Sequence, residues 1–115
     1  MTPNEELTIN IDKRPEMTVI SPMGDIDLSR APAFRTNIAE VFAEKPAKVV
    51  VDLSGVPYMD SSGVATLVEG MQLSNKAGTI FILVALQERV KSIFEIARLD
   101  TVFKIVDELA QAEEV

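Results

Sequence analysis

Hydrophobic and polar positions change rhythm along this chain, and each change marks an element. Leu7, Ile9 and Ile11 alternate with Thr8, Asn10 and Asp12, the period-two signature of a strand with one solvated face. Lys13-Arg14-Pro15-Glu16 reads as a turn, and Met17 to Ile20 resume an extended pattern. Together they predict an antiparallel hairpin. Pro22 cannot donate to a ladder, so this second strand is expected to end at an edge or a bulge. Two later runs, Lys48 to Leu53 and Thr79 to Leu86, are continuously apolar at their centres, Val49-Val50-Val51 and Ile80-Phe81-Ile82-Leu83-Val84. Strands covered on both faces have this composition.

Between these runs the period lengthens to that of a helix. Gly24-Asp25-Ile26-Asp27 reads as a loop, with Ser29 as N-cap and Pro32 in the first turn of a helix whose buried stripe is Phe34, Ile38, Val41 and Phe42. Lys45-Pro46 closes that helix, because the residue before a proline is pushed out of helical geometry. A second helix is predicted from Ser61 to Lys76, with Val64, Leu67, Val68 and Met71 on one face and Gly78 placed for a left-handed C-terminal residue. A third runs from Gln87 to Leu99 with Val90, Ile93, Phe94 and Ala97 inward. Val102 to Val106 form a short strand, and Asp107 caps a last short helix with Leu109 facing inward.

Strands alternating with helices call for parallel pairing through right-handed crossovers. The expected fold is therefore α/β, a mixed sheet of about four to five strands with about four helices. The Val49 and Ile80 strands are central and parallel, and the leading hairpin lies to one side. The 115 residues fit one domain spanning 1–115, with 1–6 and 111–115 as loose ends.

Composition narrows the chemistry. A formal net charge of −7 argues against nucleic acid and anionic membrane surfaces and favours a basic partner surface. The chain has no cysteine and no histidine, which removes disulfides, thiolate nucleophiles, Cys-ligated metals and the commonest general base. The start of the chain is polar and acidic, and no apolar run approaches the roughly 18 residues of a membrane span. The expected location is the cytoplasm, with no membrane insertion. No Gly-rich phosphate loop follows the first strand and no Gly-x-Ser-x-Gly elbow surrounds Ser61 or Ser62, so neither a cofactor nor hydrolase chemistry is expected.

The most informative residues are Asp60-Ser61-Ser62-Gly63, between a buried strand and an amphipathic helix. Such residues are ordinary at strand-to-helix turns. One cap needs one side chain, however, and this turn offers three, followed by a glycine that lets a partner backbone approach. A phosphate on either serine would sit at the positive end of the helix dipole and add about −1.5 to −2 charges beside Asp60. Asp25 and Asp27 follow the second strand as Asp60 follows the third, so adjoining loops would gather three carboxylates near Ser61. Solvated carboxylates or partner contacts account for these better than a metal or acid/base site, which needs a tight ligand set or a pocket. Gly70, inside the second helix, points to close approach by another element or protein.

Val50-Val51-Asp52-Leu53-Ser54-Gly55-Val56-Pro57-Tyr58-Met59-Asp60-Ser61-Ser62-Gly63 closely resembles the central motif of the STAS family, the anti-sigma-factor antagonists. Gly24-Asp25-Ile26-Asp27 followed by Ala31-Pro32-Ala33-Phe34-Arg35 is similar to that family's second signature. The resemblance implies a protein without catalytic activity. It would bind an anti-sigma factor that is itself a serine kinase, freeing a sigma factor, until phosphorylation by that kinase ends the association. The phosphorylated hydroxyl would be Ser61, directly after the aspartate, with Ser62 as the alternative. Asp25, Asp27, Asp60, Ser61, Ser62 and Gly63 would then form the partner-binding set. The resemblance also admits an accessory subunit of an ABC-type membrane transporter or another regulatory assembly, in which Ser61 is a docking or cap residue.

Overall fold

The computed structural model describes residues 7–115; the expected loose end at 1–6 lies outside them. In chain order the elements are β1 Thr8–Lys13, β2 Thr18–Met23, α1 Ala31–Ala43, β3 Lys48–Asp52, α2 Ser61–Ala77 and β4 Ile80–Val84. They are followed by α3 Glu88–Ile96, a 3-10 turn Leu99–Thr101, β5 Lys104–Val106 and α4 Leu109–Glu113. The five strands lie in sequence order in one sheet. β1 and β2 are antiparallel, Ile11 facing Ile20, and the other neighbours are parallel, with Val50 facing Ile82 and Leu83 facing Ile105. The expected mixed sheet, with β3 and β4 central and the hairpin at one side, is what forms. Pro22 pairs with Ile9 of β1 at a level beyond Ile20, where the ladder from β2 to β3 has already ended. Its missing N–H therefore removes no bond from the parallel side.

Alternation along the central strands feeds two apolar layers. Ile20, Val49, Val51, Phe81 and Leu83 pack with Phe34, Ile38, Leu67, Val90 and Phe94 from α1, α2 and α3. Met17, Val19, Val50, Ile82 and Val84 face the other way, against Ala112 of α4. All five phenylalanines are buried, and a tilted chain of rings, Phe42 to Phe81 at 5.9 Å and Phe81 to Phe103 at 6.4 Å, ties α1 to β4 and to the residue that leads into β5.

Several details depart from the periodicity. Ser29 does not cap α1: the helix begins after Arg30 without a side-chain cap, and Ser29 gives both its N–H and its hydroxyl to Asp27. The most deeply buried stripe of α2 is Gly63, Thr66, Leu67, Gly70 and Ser74, and Val64, Val68 and Met71 are only half-buried at its margin. Small residues let α2 approach the sheet closely: a methyl group on Gly70 would stand 2.9 Å from Cζ of Phe81. The close approach expected at Gly70 is thus made by β4. In α3, Ala97 is exposed and Ile93 half-buried, leaving Val90 and Phe94 as the inner face, because the helix ends at Ile96.

Helix α4, Leu109–Glu113, runs into the segment 111–115. Glu108, not Asp107, caps α4, in a reciprocal box where the Gln111 side-chain oxygen accepts from the N–H groups of Asp107 and Glu108, each at 2.9 Å. At the other end of α4 the ammonium of Lys48, a residue only 7% exposed, donates to the carbonyls of Ala112 at 2.8 Å and Glu113 at 3.3 Å. A cation on the last carbonyls of a helix satisfies groups that have no partner within it.

Candidate functional site

The loops that leave β2 and β3 are joined by backbone. Ile26 and Met59 form an isolated parallel bridge. The Ile26 N–H donates to the Tyr58 carbonyl at 3.0 Å, and the Asp60 N–H donates to the Ile26 carbonyl at 3.1 Å. Ile26 and Met59 are both fully buried, which pins the polar residues beside them at the surface. The expectation that the loops adjoin is met.

Asp60 is the N-cap of α2. Its Oδ1 accepts from the N–H of Ser62 at 2.8 Å and of Gly63 at 3.4 Å, and its Oδ2 accepts from the Leu28 N–H at 3.2 Å. One carboxylate thus satisfies two donors of the helix start and holds the neighbouring loop. Of the three side chains the turn offers for capping, the structure uses this one. Ser61 is the first residue of α2 and exposed; its hydroxyl makes no hydrogen bond among the described residues. Ser62 is half-buried, and its carbonyl accepts from the Thr66 hydroxyl at 2.9 Å.

Gly63 is buried, and the backbone approaching it belongs to this chain. A Cβ there would lie 2.8 Å from Cγ of Met59, 3.0 Å from Cγ2 of Ile26 and 3.1 Å from the Ile26 carbonyl oxygen. The expectation that Gly63 admits a partner backbone is therefore corrected: the space is filled by Met59 and by Ile26 of the β2–α1 loop. Asp27 is likewise committed within the chain. Its Oδ1 accepts from the Ser29 N–H at 3.1 Å, the Ser29 hydroxyl at 2.9 Å and the Arg30 N–H at 3.1 Å, while its Oδ2 takes the Arg30 guanidinium at 2.6 Å. The Ser29 hydroxyl foremost, with Arg30 in support, holds this carboxyl below its ordinary range. Asp25 is exposed. The three carboxylates share one corner, yet no group of three or more acidic side chains among the described residues is arranged to hold a metal ion.

Further contacts reach the corner from α3. The Gln87 side chain donates to the Ser54 carbonyl at 2.7 Å, and the Arg89 guanidinium lies 5.0 Å from the centre of the Tyr58 ring. Sequence reasoning missed these, and it missed Leu28, a leucine 74% exposed in the same loop as Asp27. The only available signal for Leu28 was an apolar residue amid Asp27, Ser29 and Arg30, just ahead of a helix. Two grooves along α2, one lined by Phe42, Leu73, Lys76 and Ala77 and the other by Glu69, Gln72, Leu73 and Lys76, lie toward its C-terminal half, away from Ser61. No helix among the described residues is long and apolar enough to cross a membrane.

A mixed sheet entered through a hairpin, with an exposed serine opening the helix that follows β3, defines a small α/β domain of one class. A sequence model of the STAS domain matches residues 8–112, and the chain belongs to that family. It is 32% identical over 101 residues to the anti-sigma-B factor antagonist of Bacillus subtilis, covering 86% of this chain and 92% of that protein. The crystal structure of an anti-sigma factor antagonist from Mycobacterium paratuberculosis superposes with a TM-score of 0.87 at 29% identity, covering 94% of this chain and 92% of the other. The Bacillus cell fate determinant SpoIIAA in its phosphorylated form shares the fold, with a TM-score of 0.72 at 18% identity over 93% of this chain and 98% of that one.

Proposed function

We propose that this protein is a cytoplasmic anti-sigma-factor antagonist that docks on an anti-sigma factor with serine kinase activity, and that phosphorylation of Ser61 ends the association. One observation carries the choice of residue: Asp60 caps α2 on its own, which leaves the Ser61 hydroxyl exposed and unengaged on a rigid corner. The similarity to proteins named as antagonists of anti-sigma factors supports the partner class.

The chemistry at the corner suits a reversible anion. Unmodified Ser61 is small and neutral, so a partner surface packs against it without desolvating a charge. A phosphoryl group there gains from the helix dipole but stands beside the Asp60 carboxylate, whose Oδ1 already holds the Ser62 and Gly63 N–H groups. The added charge stays largely solvated, and burying it under a partner costs more than exposing it. Rejection of the partner therefore needs no refolding of the domain. No catalytic step is assigned to the protein; it is the substrate of its partner.

The test is to incubate the protein and ATP with the candidate anti-sigma serine kinases of its host and map the phosphate by mass spectrometry. Modification at Ser61, abolished in Ser61→Ala, is expected. Modification at Ser62 alone would overturn the residue, and no modification by any of these kinases would overturn the switch.

A further inference from the structure

We propose that Leu28 is the apolar anchor of the partner surface, inserting into an apolar socket on the anti-sigma factor kinase beside the place where that kinase receives Ser61. The inference rests on the function proposed above and assigns the contact that carries much of its affinity. Single exposed leucines are common and need no explanation by themselves. Leu28 differs in being held out rather than merely left out. Its own N–H is bound by Oδ2 of Asp60, the residue preceding Ser61. The residue before it, Asp27, is clamped by Ser29 and Arg30, and Ile26 is bridged to Met59. An apolar side chain on a backbone fixed from both sides loses little conformational entropy when a partner covers it, so most of its burial appears as affinity.

Placement separates Leu28 from the other exposed hydrophobic side chains. Ile96 is 83% exposed, but it ends α3, whereas the N-terminal end of α3 is the one that reaches the Ser61 corner through Gln87 and Arg89. Val102 follows the 3-10 turn, Ile80 opens β4 and Val115 follows α4, while Met23, at the end of β2, lays its sulfur over Gly55. Of the exposed large hydrophobic residues among those described, Leu28 is the one hydrogen-bonded to the cap that precedes Ser61. The same placement gives phosphorylation its leverage: a dianion one residue beyond Asp60 would have to be dehydrated at the rim of an apolar socket for Leu28 to seat, and charged groups resist that transfer.

The experiment measures binding and phosphorylation of Leu28→Ser and Leu28→Met with the kinase that modifies Ser61. Both substitutions keep the backbone N–H bonded to Asp60, so unfolding midpoints equal to wild type are expected. Leu28→Ser should weaken binding by about tenfold or more and raise KM for Ser61 phosphorylation in the same proportion with kcat unchanged, as expected when uniform binding energy is removed. Leu28→Met should stay within about threefold of wild type. Unaltered affinity in Leu28→Ser, or a fall in kcat at constant KM, would overturn the anchor while leaving the proposed function standing. Failure of the wild-type protein to bind any such kinase would overturn both.

Discussion

Substituting Gly63 by alanine tests whether the corner around Asp60 and Ser61 is held by packing within the chain. The residue is helical and not left-handed, so an alanine there is welcome to the backbone and gains at most about 1 kcal/mol in helix propensity. Space opposes it. The new methyl would meet Cγ of Met59 at 2.8 Å, Cγ2 of Ile26 at 3.0 Å and the Ile26 carbonyl oxygen at 3.1 Å. Both side chains are fully buried, and the carbonyl accepts the Asp60 N–H, so no atom facing the methyl is a free end that swings aside. Overpacking of this kind costs about 1–3 kcal/mol, and strain on the Ile26–Asp60 bond adds about 0.5–1.5 kcal/mol. After the propensity gain, a net loss of about 2 kcal/mol is expected. With an m-value of roughly 1–2 kcal/mol/M, the urea midpoint followed by circular dichroism should fall by roughly 1–2 M at unchanged slope. A midpoint at or above wild type would show that the two loops are not in contact at Gly63 and would refute the packing.

Three further outcomes follow from the same geometry. Asp60→Ala removes a cap and should cost about 1–2 kcal/mol in urea unfolding, Asp60→Asn less because asparagine caps nearly as well, and Ser61→Ala within about 0.5 kcal/mol of zero. Lys48→Met leaves the Ala112 and Glu113 carbonyls without their donor; amide exchange in α4 should accelerate by about tenfold or more while the β3 and β4 amides stay protected. Asp27 has its folded-state pKa lowered from the ordinary 3.8, so its contribution is complete above the unfolded-state value and is lost as pH falls through the folded-state value. The stability difference between wild type and Asp27→Asn should accordingly be constant at neutral pH and shrink on acidification below about pH 4, which denaturant titrations at stepped pH would read.

Much of this arrangement is legible in the chain before any coordinates. Val49 to Val51 and Phe81 to Val84 announce buried central strands because no polar side chain interrupts them, and Phe34, Ile38, Val41 and Phe42 fix the inward stripe of α1; Ile80, read with them, is exposed at the start of β4. What periodicity misreads is close packing. Along α2 it selects the bulky Val64, Val68 and Met71 together with the buried Leu67, yet the helix approaches β4 through Gly70, which carries no hydrophobic signal and stands out only as a glycine inside a helix. Caps are misread for a related reason. Ser29 has the right chemistry for α1, but a carboxylate two residues earlier takes its hydroxyl, and only the folded loop reveals that competition. At the corner itself, Asp60, Ser61 and Ser62 stand out in sequence by type. Their division of labour, with Asp60 as cap and tether and Ser61 left exposed, depends on distances across two loops. The same holds for Leu28, Arg89 and Gln87, which reach the corner from outside its motif.

The central claim is that a single phosphoryl group at Ser61 decides whether this surface accepts its partner. Titration calorimetry of the anti-sigma factor kinase against unmodified protein and against protein phosphorylated at Ser61 tests it most directly. Binding by the unmodified form and a loss of at least about hundredfold in affinity on phosphorylation, near 2.7 kcal/mol, are the expected results. Equal affinity of the two forms would contradict the account.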